Sequence, residues 1–238
     1  QQKIADFLSA VDKKIEQLTE KHRLLTEYKK GVMQQIFSQK IRFKDDEGND
    51  YPEWEKKRLG DFLQERRFQA PKSEQYPLMA FVAYKGVSEK GDRYNRDFLV
   101  SDAEGKKYKQ TEYGDFIYSS NNLEAGSIGV NTFGSASISP VYSIFKVEGG
   151  CDFRFIANYL VRKSFLNKMV KYRQGVVYGQ WRIHESEFLK IEETIPSFEE
   201  QQKIADFLTA IDNKIDQAWS KLEQTKAFKN GLLQKMFV

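Results

Sequence analysis

The chain has 238 residues, of which 38 are Lys or Arg and 34 Asp or Glu, for a formal charge of +4. No run approaches the ~20 apolar residues of a membrane span, and so small a positive sum permits a nucleic-acid partner without demanding one. Cys151 is the only cysteine, which excludes an internal disulfide and a cysteine-based zinc site and suits a reducing cytosol, and two histidines, His22 and His184, argue against a metal centre.

Residues 1–37 return as residues 201–237 with no gap in register: Gln1 falls on Gln201, Asp12 on Asp212, Gly31 on Gly231 and Phe37 on Phe237. In the first copy Ile4, Leu8, Val11, Ile15, Leu18, Leu25 and Val32 recur at steps of three, four or seven. In the second copy Ile204, Leu208, Ile211, Ile215, Leu222 and Leu232 keep the same phase. That is the ~3.5-residue period of a coiled-coil seam, sustained over roughly five heptads. At about 1.5 Å per residue each copy predicts a rod some 50 Å long. A rod with one apolar stripe needs a partner helix, and the nearest candidate is the other copy. The alternative is a pair of ordinary amphipathic bundle helices. His22, Lys29, Thr225 and Lys229 interrupt the stripe, where polar groups fix register at a cost in stability. The chain begins inside the first repeat, with no initiator Met and no helix cap. A preceding segment resembling residues 195–200 is therefore expected, as in a fragment or a processed product.

After Phe37 the pattern changes to a short extended piece, Ile41–Phe43, and an acidic turn from Asp45 to Asp50. Tyr51-Pro52-Glu53-Trp54 then leads into a globular domain. Its interior alternates aromatic and β-branched runs with Gly, Asn and Ser turns, which predicts strands over 78–84, 97–100, 115–118, 127–130 and 141–147. Residues 153–172 predict one helix with Ile156, Leu160 and Met169 inward. Pro196 ends the last extended stretch, and Ser197 with Glu200 three places on has the form of a capping box, so the second rod starts near Phe198. The expected class is α+β: one mixed or antiparallel sheet in a domain at 38–196, between helical arms at 1–37 and 197–238 that form an antiparallel coiled coil.

Three stretches are candidates for binding. Between Phe153 and His184 there is no acidic residue, while Arg154, Arg162, Lys163, Lys168, Lys171, Arg173 and Arg182 all lie there, interleaved with Gln174, Tyr178, Gln180 and Trp181. Basic groups attract phosphates, and Arg or Gln forms paired hydrogen bonds to guanine or adenine edges, so the mixture suits duplex DNA; the bland alternative is a solvated helix face followed by a loop. The stretch 84–96 adds Lys85, Arg93, Asn95 and Arg96, blunted by Glu89 and Asp92. Ser119, Ser120, Asn121 and Asn122 form a polar segment after a strand, either a base reader or a plain turn.

Catalytic readings fare worse. Asp50, Glu55 and Lys57 imitate a nuclease acid-and-lysine set but fall in an acidic turn beside an aromatic anchor. Gly105-Lys106-Lys107 lacks both the glycine spacing and the hydroxyl of a phosphate-binding loop, and Cys151 has no strong base nearby in sequence.

Together the repeat Glu200–Leu208, the approach through Ile195-Pro196-Ser197, the exit Gln35–Phe43 and the entrance Tyr51-Pro52-Glu53-Trp54 resemble the specificity (S) subunits of type I restriction-modification systems. The resemblance implies a non-catalytic subunit whose recognition domain reads double-stranded DNA and whose helices hold two such domains apart. It also implies docking of methyltransferase (modification) subunits on the helices, with restriction subunits joining through these. S-adenosylmethionine and ATP then belong to the other subunits, and no cofactor is expected here. The departure from the family is a single recognition domain where the full pattern has two, as in the C-terminal half of such a subunit. The chain is accordingly expected to pair its own arms or to form a homodimer through them, in the cytoplasm. Expected DNA contacts are Lys85, Arg93, Asn95, Arg96, Ser119, Asn121, Asn122, Lys171, Arg173, Gln174, Tyr178, Gln180, Trp181 and Arg182. The rival readings are a coiled-coil adaptor that binds only proteins and a decoy half-subunit that occupies modification subunits without a target.

Overall fold

The computed structural model describes residues 2–89, 105–177 and 180–237, with the backbone alone at 175–177, 180, 181, 236 and 237. The chain opens with the helix α1 (Gln2–Phe37). Among the described residues the strands that follow are β1 (Glu55–Arg58), β2 (Leu63–Glu65), β3 (Gln69–Ala70), β4 (Ala80–Val82), β5 (Gly86–Ser88), β6 (Tyr108–Thr111), β7 (Phe116–Tyr118), β8 (Ile128–Val130), β9 (Ala136–Ile138) and β10 (Ser143–Val147). Then come α2 (Phe153–Tyr159), α3 (Lys163–Val170), the hairpin of β11 (Gln174–Val177) and β12 (Gln180–Arg182), α4 (Glu185–Phe188), β13 (Glu192–Ile195) and the closing helix α5 (Phe198–Phe237). Two compact units result, Gln1–Lys44 with Lys203–Val238, and Asp45–Gln202.

In the first unit the two arms pair antiparallel. Lys29 Nζ lies 2.7 Å from Asp212 Oδ1 and Lys229 Nζ 2.5 Å from Asp12 Oδ1. Between these pairs His22 packs on Trp219 with centroids 5.3 Å apart, and beyond Asp12 on α1 Phe7 meets Phe228 edge-on at 6.4 Å. Val11, Leu18, Val32 and Ile36 of α1 are buried, as are Ile204, Leu208, Ile211, Ala218 and Leu222 of α5. Leu8, Ile15, Leu25, Ile215 and Leu232 are half-buried, which is the geometry of a two-helix seam open on both flanks. Ile4, expected in the seam, is exposed, because α1 begins there opposite the end of α5 and a terminal turn has little helix to pack on.

The second unit is α+β. Its central sheet is antiparallel in the order β2-β10-β7-β8, with Phe145 opposite both Phe116 and Glu65. A three-stranded sheet β3-β6-β9 and the hairpin β4-β5 lie apart from it in hydrogen bonding, and β1 pairs β13 so that the two ends of the unit close on each other. The core is aromatic: Phe116 stacks on Phe188 at 5.9 Å, Tyr118 on Phe145 at 5.8 Å, and Phe165 meets Phe188 edge-on. Each such ring contributes roughly 1.5–3 kcal/mol by leaving water. A second cluster holds Met79, Phe81, Val87, Ile117, Ala136, Ile138 and Ile144.

The start of α5 is built into this unit. Ser197 Oγ accepts the Glu200 N–H at 3.4 Å, and the buried Glu200 carboxylate accepts the Trp54 indole N–H at 3.1 Å. Gln201 accepts the Asp152 N–H at 3.0 Å and donates to the Pro196 carbonyl at 3.0 Å. The acidic turn is closed by Asp45, whose carboxylate accepts the N–H groups of Glu47 and Asn49. The single helix expected over 153–172 is two. The Leu160 N–H caps α2 on Ile156 O, and Arg162, extended at φ −64° and ψ 144°, starts α3. At this break the Arg162 guanidinium lies 3.5 Å from the Tyr159 ring centroid within the segment and 2.9 Å from Glu193 outside it.

Candidate nucleic-acid interface

Strand β7 ends at Tyr118 and β8 starts at Ile128; the connection between them organises one face of the domain. It is self-closed, with Ser119 N–H on Ser127 O at 2.9 Å, Ser127 N–H on Asn122 O at 3.0 Å and Gly126 N–H on Leu123 O at 3.0 Å, around the buried Leu123. Backbone turns of this kind need no help from elsewhere, yet three other segments are tied to it.

From the C-terminal end of α3, Arg173 reaches back to the loop. Its guanidinium grips Glu124 with two bonds of 2.5 and 2.6 Å and donates to the Ser120 carbonyl at 2.9 Å. Paired planar bonds of this sort are the strongest ion-pair geometry available to a carboxylate. The Arg173 guanidinium holds the Glu124 carboxyl below its usual range. From the end of β12, the Ile183 N–H donates to Ser120 Oγ at 3.0 Å, and Tyr118 OH donates to the Ile183 carbonyl at 3.3 Å. From the tip of the β4-β5 hairpin, the Tyr84 N–H donates to Gly126 O at 3.1 Å. Residues some 40 to 60 positions apart thus share one nine-residue scaffold.

The placement of the expected contacts follows. Lys85, Asn122, Lys171 and Gln174 are exposed, and Asn121 is half-buried. Gln174 and Arg182 stand directly opposite in the β11-β12 register, beside a bulge between Gln174 and Val176, so their side chains share one face of the ribbon. The Arg182 side chain is 64% exposed and 3.9 Å from Glu185. Glu185 resists burial, which opposes its charge, through its own backbone N–H, the Ser143 hydroxyl, Lys109 and Arg182, and its carboxyl is held below the ordinary value. Ser119, expected at the surface, is 2% exposed, its amide closing the loop, whereas Ser120 and Asn121 are half-buried and Asn122 is exposed. The Arg173 side chain is 10% exposed and occupied by Glu124. Arg93, Asn95, Arg96 and Tyr178 lie outside the described residues, as do the side chains of Gln180 and Trp181.

The acid-free run is also less positive than its composition suggests. Arg154 pairs with Asp152, Arg162 and Lys168 with Glu193, Arg173 with Glu124 and Arg182 with Glu185. Residues missed by sequence reasoning are Glu124, the partner of Arg173 across 49 positions, and Tyr84, which only its place at a predicted loop edge could have flagged. Among the described residues no group of three or more His, Cys, Asp or Glu side chains could hold a metal ion. The described part of the face is a mixed polar and basic surface tied together by the β7-β8 connection.

Residues 51–225 match the family model described as the type I restriction modification DNA specificity domain. Among solved structures the chain is similar to a type-I restriction-modification S subunit from M. genitalium, at 16% identity and a TM-score of 0.59, over 98% of this chain and 59% of that one. It is also similar to the HsdS subunit from Thermoanaerobacter tengcongensis, at 19% identity and a TM-score of 0.50, over 95% of this chain and 56% of that one. Both likenesses are of fold, and this chain spans less than two thirds of either solved chain. No curated protein matches.

Proposed function

This chain belongs to the type I restriction-modification DNA specificity family, and from that premise we propose that it reads a double-stranded DNA sequence and directs adenine methylation and restriction by partner subunits, with no catalysis of its own. The observation that carries the reading is the convergence of the Tyr84-Lys85 tip, the Ser120–Asn122 loop and the Arg173–Ile183 ribbon on one scaffold. Lys85 and Lys171 attract phosphates, while Gln174, Asn121, Asn122 and Arg182 carry the paired donors and acceptors that base edges require. Arg173 is a positioning residue in this scheme, since its guanidinium is spent on the loop.

The recognition domain is assigned to residues 38–196 and the arms to 1–37 and 197–238, with the arms as the docking ground of modification subunits. Because α1 and α5 satisfy each other within one chain, a homodimer through the arms would form by exchange, α1 of one copy pairing with α5 of the other through the same contacts. The site of action is the cytoplasm, where such a subunit meets DNA; among the described residues no helix is long and apolar enough to cross a membrane.

The test is selection of a randomised duplex pool on the full chain, followed by gel shift. Enrichment of one sequence, with affinity and salt dependence both reduced in the triple variant Lys85→Ala, Lys171→Ala, Arg182→Ala, is the expected outcome. Enrichment of nothing would return the chain to the adaptor or decoy readings, which reconstitution with modification subunits separates.

A further inference from the structure

Tyr84 sits at the centre of the three-residue tip joining β4 to β5, where Val82 pairs Gly86. Its φ is +61°, a left-handed conformation that costs a side chain with a Cβ and that Gly or Asn adopts more readily. The strain is not offset by burial, for Tyr84 is 84% exposed. The tip is nonetheless held firmly: its N–H is bonded to Gly126 O, and its ring lies so close over Gly126 that a Cβ there would stand 2.4 Å from the Tyr84 Cζ. One face of the ring is thus backed by the scaffold loop and the other is open, beside the exposed Lys85. A residue that served only to turn the chain would not combine a strained backbone, a rigid mount and an unburied aromatic ring.

The other described side chains assigned to this face, Lys85, Asn121, Asn122, Lys171, Gln174 and Arg182, are hydrogen-bonding groups, and such groups do not sense the one apolar feature of the major-groove edges, the C5-methyl of thymine. We propose that Tyr84 is a specificity-determining residue of the recognition face, its open ring packing against a thymine methyl. The assignment rests on the DNA reading above and adds to it a particular contact and a particular base.

The test uses the full chain and a pool of duplexes randomised over about 15 base pairs. Wild type enriches a site containing at least one fixed T·A pair, and replacing that thymine by deoxyuridine weakens binding roughly fourfold, the value of one buried methyl. Tyr84→Ala loses selectivity at that pair, binds the enriched site roughly tenfold more weakly and becomes indifferent to the deoxyuridine exchange. Its affinity for an unrelated duplex and its salt slope stay at the wild-type values. Tyr84→Asn, which relieves the φ strain, melts no lower than wild type yet shows the same loss of selectivity. A wild-type chain that enriches nothing overturns the DNA reading and this assignment with it. A wild-type site that Tyr84→Ala reproduces at every position, or that tolerates deoxyuridine at every thymine, overturns the Tyr84 assignment alone.

Discussion

Lys29 and Asp212 join the two arms by an ion pair of 2.7 Å, and the same pair is made again in reverse by Lys229 and Asp12, two hundred residues out of phase. Two helices of repeated sequence laid antiparallel produce a local two-fold axis, and a contact off that axis between residues the repeat preserves is made twice. Two of the seam's polar interruptions, Lys29 and Lys229, are therefore each answered by a carboxylate at one register. Sliding one helix by a turn would break both pairs at once. Reversing one charge, as in Asp212→Lys, should destabilise the chain in urea by roughly 0.5–1 kcal/mol, since these pairs are partly exposed, and Lys29→Asp in the same molecule should recover most of it. Additivity of the two single changes would count against a register role.

The Trp54–Glu200 bond fixes the first turn of α5 within the domain core. Glu200→Ala should cost about 1–3 kcal/mol, because it leaves a buried indole N–H unanswered, and Glu200→Gln, which keeps an acceptor, should cost less. Equal denaturation midpoints for the two variants would mean the indole finds another partner.

Glu124 titrates below its usual value because Arg173 binds its charged form. Its folded value lies under its unfolded one, so the stabilisation is present above about pH 4.5 and disappears as pH falls through the depressed value. Thermal melts of wild type and Glu124→Gln should differ at pH 6 and converge in acid. A gap that stays the same size from pH 6 to the acid limit of the fold would assign the difference to packing.

Burial pushes the Cys151 thiol up to about 11. Alkylation by iodoacetamide should accordingly be slow at neutral pH and quicken towards that value. Since the folded state holds the proton longer than the unfolded one, this group also withdraws stability as pH rises beyond about 9. Neutral-pH reaction as fast as that of an unfolded control would refute both statements.

Gly149 and Gly150 are both left-handed, at φ +64° and +74°, but only Gly149 is crowded, a Cβ there falling 2.5 Å from Asp61 O. Gly150→Ala should cost about 1 kcal/mol for conformation, and Gly149→Ala clearly more, in equilibrium unfolding.

The arms were legible in sequence because a repeat and a heptad stripe are local and additive along the chain. So were β7, β8 and β10, where short aromatic and β-branched runs sit between Gly and Asn turns. The break between α2 and α3 was not, because a contact made at it, the Arg162–Glu193 ion pair, joins residues 31 positions apart. The same reason hid the true electrostatics of the acid-free run 153–184. A run without acids reads as positive until folding brings Glu124, Glu185 and Glu193 to it.

The carboxylate already seated on Arg173 changes what a phosphate could do there. It would displace an anion of the protein's own rather than fill an empty cationic position, and such an exchange sheds no condensed ion from the duplex on Arg173's behalf. The count of ions liberated on association should then fall below the count of cations on the face, and Glu124→Gln, by emptying that position, should steepen the logarithmic salt slope by about one.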